Sequence, residues 1–176
     1  MLRYNEGMTH EDHVSSILTQ WAAERPDLDA SPMGIIGRIS RLSLVVEKEL
    51  EPVFVQWGLN HWSFDMLATL RRTGAPYRLS PTELFRSMMV TSGTMTNRID
   101  RLAEKKHVRR VPDPEDRRGI LVELTDEGRE LIDSVLISHV ANEARLLQPL
   151  SREEQSTLSQ NSSANGFLPS NTTYRR

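Results

Sequence analysis

Residues 80–124 read SPTELFRSMMVTSGTMTNRIDRLAEKKHVRRVPDPEDRRGILVEL, and the order of signals along them decides the fold. Ser80-Pro81-Thr82-Glu83 places a hydroxyl, a proline and a glutamate at the N-cap, N1 and N3 positions of a helix, where the two polar side chains satisfy each other's free backbone N–H groups. The helix they start is short, to about Met88. Thr91-Ser92 then caps a second helix, to about Lys106, whose apolar residues Met95, Ile99 and Leu102 are spaced by four and three and share one face. Val108–Val111 and Ile120–Leu124 follow as strands around the polar stretch Pro112–Gly119, which predicts a β-hairpin. A short helix, a turn, a second helix and a charged hairpin is the element order of a winged helix-turn-helix, whose second helix enters the major groove of DNA.

Charge supports that expectation locally and not globally. The 176 residues carry a formal net charge of −2, so the chain as a whole has no bulk affinity for a polyanion. Between Arg98 and Arg118, however, stand Arg98, Arg101, Lys105, Lys106, Arg109, Arg110, Arg117 and Arg118 against Asp100, Glu104, Asp113, Glu115 and Asp116, eight bases to five acids. A local excess of this kind neutralises phosphates, while hydroxyl and amide side chains near the start of a recognition helix read base edges; Thr91, Ser92, Thr94 and Asn97 are of those types. At about 100° per residue, Asn97 and Arg101 point away from the apolar face of the second helix, toward the groove, whereas Arg98 leans to within about 67° of its centre.

Working outward, Val14, Ile17, Leu18 and Trp21 predict an amphipathic helix over residues 10–24 that stops at Arg25-Pro26. Ser31-Pro32 opens a long apolar-periodic helix to about Gln56, with a kink or an end expected at Pro52. A third helix spans about Asn60 to Arg72 and ends at the breakers Gly74 and Pro76. Beyond the hairpin, Thr125 starts a helix to about Gln148, and Ser151-Arg152-Glu153-Glu154 starts another before the chain turns polar. The expected fold is mainly α with a small β-hairpin wing. It comprises one domain over residues 1–160, with a helical dimerisation region at 10–57 and 125–160 around a winged helix-turn-helix at 60–124, and a disordered tail over 161–176.

Several function classes recede on composition. The chain has no cysteine, hence no thiolate nucleophile, disulfide or cysteine zinc site. Its histidines, His10, His13, His61, His107 and His139, are scattered, and His10 and His13 lie one turn apart without further ligands at motif spacing. No nucleophile motif or phosphate loop accompanies them, so neither an enzyme, a metal site nor a cofactor is expected. With no signal-like or membrane-length apolar run, a cytoplasmic location without membrane contact is expected. The competing reading is a winged-helix module for protein association that does not bind DNA.

The quoted stretch, with Leu124-Thr-Asp-Glu-Gly after it, resembles the MarR family of bacterial regulators over roughly residues 31–155. That resemblance implies a homodimer joined through its terminal helices, bound to a pseudo-palindromic operator in double-stranded DNA, acting as a repressor released by a ligand. In the wing, Asp116 and Arg118 match the family's Asp-x-Arg element, in which the arginine, beside Arg117, enters the minor groove and the acid steadies it. The N-terminal segment around Trp21 further resembles the urate-responsive branch, marked by an extra N-terminal helix and a pocket of tryptophan, aspartate and two arginines. The matching positions are Trp21, Asp65, Arg72 and Arg98, and the implied effector is urate or another purine. Asp65 and Arg72, seven apart, share a helical face opposite Met66, Leu67 and Leu70 and are expected to face a cleft. The alternative makes Trp21 core packing and the other three an internal ion-pair network. The family's final helix supplies apolar dimer contacts; here the chain is polar after Leu158, and the extra N-terminal helix is expected to compensate.

Overall fold

The computed structural model describes residues 12–88 and 95–164. The chain divides between Lys48 and Glu49 into two compact units. The division falls in α2 (Ser31–Val55), where the apolar residues change from exposed (Leu42, Leu44, Val45) to buried (Leu50, Phe54).

In the first unit, α1 (His13–Glu24) is capped by Asp12, whose carboxylate accepts the Ser15 N–H at 2.8 Å. Arg38 of α2 donates to the same carboxylate at 2.9 and 3.1 Å, which ties the two helices together. The Ser15 N–H first and the Arg38 guanidinium second hold the Asp12 pKa down at about 2. Val14 is buried, while Met33, Ile35, Ile36, Ile39, Leu42, Leu44 and Val45 of α2 remain exposed.

The second unit carries the core. Proline does not break α2: the helix runs through Pro52 to Val55. Pro52 lies within its last turn, and the N–H that it lacks costs the helix the single bond to the carbonyl four residues before it. The helix closes instead at Gly58, in the left-handed region at φ 67°, with Leu59 N–H donating to the Phe54 carbonyl and Gly58 N–H to that of Val55. This double bond pattern is the glycine C-cap that only a residue without Cβ adopts at no cost. Asn60 and Ser63 then form a capping box that starts α3 (His61–Arg72).

Helix α3 is the spine of the unit, with Ser63–Leu67, Thr69 and Leu70 all buried. It packs on α6 (Asp126–Leu146), to which Arg71 is tied through Asp133 at 2.7 Å. Phe54 and Phe64 stack at 4.6 Å beside the His139 ring of α6, while Asn142 donates to the Glu49 carbonyl at 2.9 Å. Both bonds of the Ser80–Glu83 capping box are present at the start of α4 (Pro81–Ser87), as the sequence requires. Helix α5 (Met95–Glu104) follows after residues 89–94, which lie outside the described residues.

The hairpin pairs β2 (Val108–Pro112) with β3 (Ile120–Leu124) in antiparallel register, Val108 opposite Leu124 and Pro112 opposite Ile120. A two-residue strand, β1 (Arg78–Leu79), adds to the other edge of β3. Thr125 caps α6, and a Cβ at Gly128 would overlap the His107 carbonyl, so the first turn of α6 lies directly against the backbone before β2. The Ser151–Glu154 capping box starts α7 (Arg152–Ala164), which extends the helix through residues 161–164 of the expected tail. A nucleated helix tolerates serine and asparagine, here with Ser162 donating back to the Leu158 carbonyl at 2.8 Å.

Candidate nucleic-acid interface

Helix α5 buries Ile99 and Leu102, and Asn97 and Arg101 are exposed on its outer side, as the helical angles predict. Thr91, Ser92 and Thr94, the other expected base-reading residues, lie outside the described residues. Among the described residues Arg101 enters no ion pair, so its charge stands open beside Asn97.

The wing tip is built by its aspartates. Asp113 Oδ1 accepts the Glu115 N–H and Asp116 Oδ1 the Arg118 N–H, each at 2.9 Å, and Gly119 N–H donates to the Asp116 carbonyl at 2.8 Å. Asp116 thus acts on the backbone of Arg118, fixing the loop from which the exposed side chains of Arg117 and Arg118 project. Asp-type turns of this kind order a loop without a regular ladder.

The eight local bases divide by task. Arg109 pairs with Glu123 across the hairpin, Arg110 pairs with Asp100 of α5 at 2.6 Å, and Lys105 donates to the Gly58 carbonyl at 2.8 Å. Those three hold the wing and α5 in place, whereas Arg101, Arg117 and Arg118 present their charge to solvent. Linear counting of charge could not make this separation.

The four residues matched to an effector pocket are placed unequally. Asp65 is 5 % exposed, inside the protein rather than on an open wall, because α3 is buried nearly all round. Arg72, at the exposed end of α3, donates to the Ser87 carbonyl at the end of α4. Arg98 is half-buried with its guanidinium 5.2 Å from the centre of the Trp62 ring, and burial lowers its pKa. Trp21 lies on α1 in the first unit and is 39 % exposed.

Trp62 is the partner of Arg98 that the sequence reading did not single out. Its position fits the edge of the apolar stripe of Met66 and Leu70, so periodicity assigns it to the core. Beside it a cavity of about 250 Å³ opens between the start of α3 and α5, lined by Asn60, Trp62, Ser63, Arg101 and Lys105 among others. A larger open groove of about 460 Å³ at the base of the wing mixes Lys106 and Arg109 with Glu123, Asp126 and Glu127. It offers neither one sign of charge nor an enclosing wall.

A helix pair whose first member is capped by Ser80, with an amide and a cation on the outer face of its second helix, next to a hairpin tipped by two arginines, defines a winged-helix DNA-binding protein. Comparison with known proteins narrows the class. A model of the MarR family matches residues 57–119. The HTH-type transcriptional regulator PecS of Dickeya dadantii (strain 3937) is 47 % identical over 82 % of this chain and 87 % of its own length. The HTH-type transcriptional repressor YetL of Bacillus subtilis (strain 168) is 30 % identical over 78 % and 82 %. Among solved structures, Sco3205 of Streptomyces coelicolor, a MarR family regulator in complex with DNA, superposes with a TM-score of 0.70 at 26 % identity, covering 81 % of this chain and 91 % of that one. The chain belongs to the MarR family: it is a DNA-binding transcription regulator and not an enzyme, and the protein-association reading is not favoured. Among the described residues no helix is long and apolar enough to cross a membrane.

Proposed function

We propose that this regulator is a cytoplasmic homodimeric repressor that leaves its operator when a small, planar, anionic purine of the urate type binds. In this reading Thr91, Ser92, Thr94, Asn97 and Arg101 read the major groove, and Arg117 and Arg118, on the loop that Asp116 fixes, enter the minor groove. Trp21, Asp65, Arg72 and Arg98 hold the effector. The observation that carries the effector reading is the place of Arg98: a half-buried cation on the recognition helix, turned away from the groove. A cation there can serve an anionic ligand and the DNA-reading element at once, which gives the ligand different affinities for the bound and released states. Arg72 supports the reading by linking the end of α3 to the end of α4. The exposed apolar face of α2 supports the dimer, since a contiguous patch of that kind marks an association surface.

The test is a fluorescence-anisotropy titration of the intergenic DNA beside the coding region, at fixed salt, with and without urate. Tight binding that urate releases in the wild type, with the fold-change on adding urate lost in the Arg98→Met variant whatever that variant's own affinity for DNA, bears the proposal out. Release by neither urate nor related purines at millimolar concentration rejects the effector and leaves the DNA-binding assignment standing.

A further inference from the structure

Helix α5 is anchored by two buried apolar side chains among its described residues, Ile99 and Leu102. Two knobs three residues apart define a line about which a helix can still roll. The flank toward α3 does not stop that roll by packing, because the cavity of about 250 Å³ lies there. Polar contacts bridge the gap instead. Arg98 reaches the Trp62 ring at 5.2 Å and Lys105 reaches the Gly58 carbonyl at 2.8 Å. Seven residues apart, Arg98 and Lys105 lie within about 20° of one helical face, so both pull α5 toward the junction of α2 and α3. On the opposite flank Asp100 holds Arg110 of the wing at 2.6 Å.

We propose that Trp62 positions the recognition helix: its indole face, carried on the capped first turn of α3, fixes Arg98 and so the roll at which Asn97 and Arg101 meet the base edges. Three properties suit Trp62 to this. Its helix is rigid, with Met66, Leu67 and Leu70 fully buried just beyond it. Tryptophan offers the strongest cation-binding face of the aromatic side chains, and the attraction grows as the cation is desolvated, which half-burial of Arg98 provides. The contact is also directional: it weakens as the guanidinium slides off the ring, so it resists rotation where a featureless apolar contact would not. The inference rests on the base-reading role proposed for Asn97 and Arg101 and does not need the urate reading.

The experiment uses the full chain and two duplexes of equal length, one selected by the wild-type protein from a random pool and one of random sequence. Trp62→Leu is expected to weaken binding to the selected duplex about tenfold and to leave the random duplex within about twofold, since phosphate contacts are indifferent to helix roll. Trp62→Phe, which keeps an aromatic face, loses no more than about threefold. In an Arg98→Met background the same Trp62→Leu change costs less than about twofold, because the partner is already gone. Equal losses on both duplexes, or an undiminished loss in the Arg98→Met background, overturn the proposal. If Trp62→Leu shows no cooperative melt, Arg98→Met alone carries the test: selective loss on the selected duplex supports it, and wild-type affinity overturns it.

Discussion

In residues 49–164, Phe54, Met66, Leu67, Leu70, Leu84, Ile132 and Val135 are sealed from solvent. In residues 12–48, Val14 is the buried large apolar side chain, and seven from Met33 to Val45 face outward. The second unit therefore satisfies its hydrophobic pattern within one chain, while the first displays a pattern that a single chain leaves open. Periodicity reports that a helix has an apolar face; it does not report whether the same molecule covers it.

The largest expected effect breaks the self-sufficient side of the contrast. Leu70→Ala removes a fully buried side chain from the middle of α3 and is expected to cost about 2–5 kcal/mol in urea unfolding, the transfer and cavity terms together. On the other side, Ile39→Asp places a charge on the exposed α2 face and is expected to shift the stability of the isolated chain by less than about 0.5 kcal/mol. Its effect should appear as mass action: a wild-type Tm that rises with protein concentration, and a variant Tm that does not. A concentration-independent wild-type Tm means that this face is not covered by a second copy.

A smaller effect sharpens the second unit. His107 sits between α5 and β2, with burial first and the Lys105 charge second lowering its pKa below the ordinary 6.5, against a weaker opposing pull from Glu127. Its Nδ1 is buried without a hydrogen-bond partner among the described residues. The folded state favours the neutral ring, so the unfolded chain binds the proton more readily. The contribution is fully present above pH 6.5 and is lost as pH falls below that value toward the lowered folded pKa. Urea midpoints should therefore drop between pH 7.5 and 5.5, and by less in His107→Leu. Equal drops in both proteins would remove His107 as the cause.

Much of the fold was legible because short-range chemistry dictates it. The Ser80–Glu83 box, the Thr125 cap, the outward turn of Asn97 and Arg101 and the two hairpin strands all follow from neighbours within a few residues. What escaped depends on packing from elsewhere. Strand β1 is two residues long and has no alternation to read. Asp65 looked open because its helical face is polar, yet α3 is buried over most of its length, Asp65 included. Pro52 looked like a kink or an end, and the helix runs three residues past it. Trp62 drew no reading because its partner, Arg98, stands 36 positions away on another helix. The change from an open to a covered apolar face was hidden for the same reason, since α2 has one unbroken pattern across it.

The smallest expected effect separates the units by what holds a helix in each. Helix α4 has both a capping box and the fully buried Leu84, so losing its cap leaves a hydrophobic anchor. Helix α1 has Val14 and little else, and its start depends on Asp12, which serves as N-cap and as partner of Arg38. Asp12→Asn keeps an oxygen for the Ser15 N–H but loses the charge that faces Arg38, whereas Asp12→Ala loses both. At pH 7 the amide protection of residues 13–24 should therefore fall in the order wild type, Asn, Ala, measured by hydrogen exchange. Because the Asp12 pKa is held down at about 2, its contribution is present above the ordinary carboxylate range and is lost as pH falls toward 2. Below that pH the helix content of the wild type should converge on that of the Ala variant. Protection of α1 that is unchanged in Asp12→Ala at pH 7 would show that apolar contacts, and not the cap, carry the helix, and the contrast between the units would narrow accordingly.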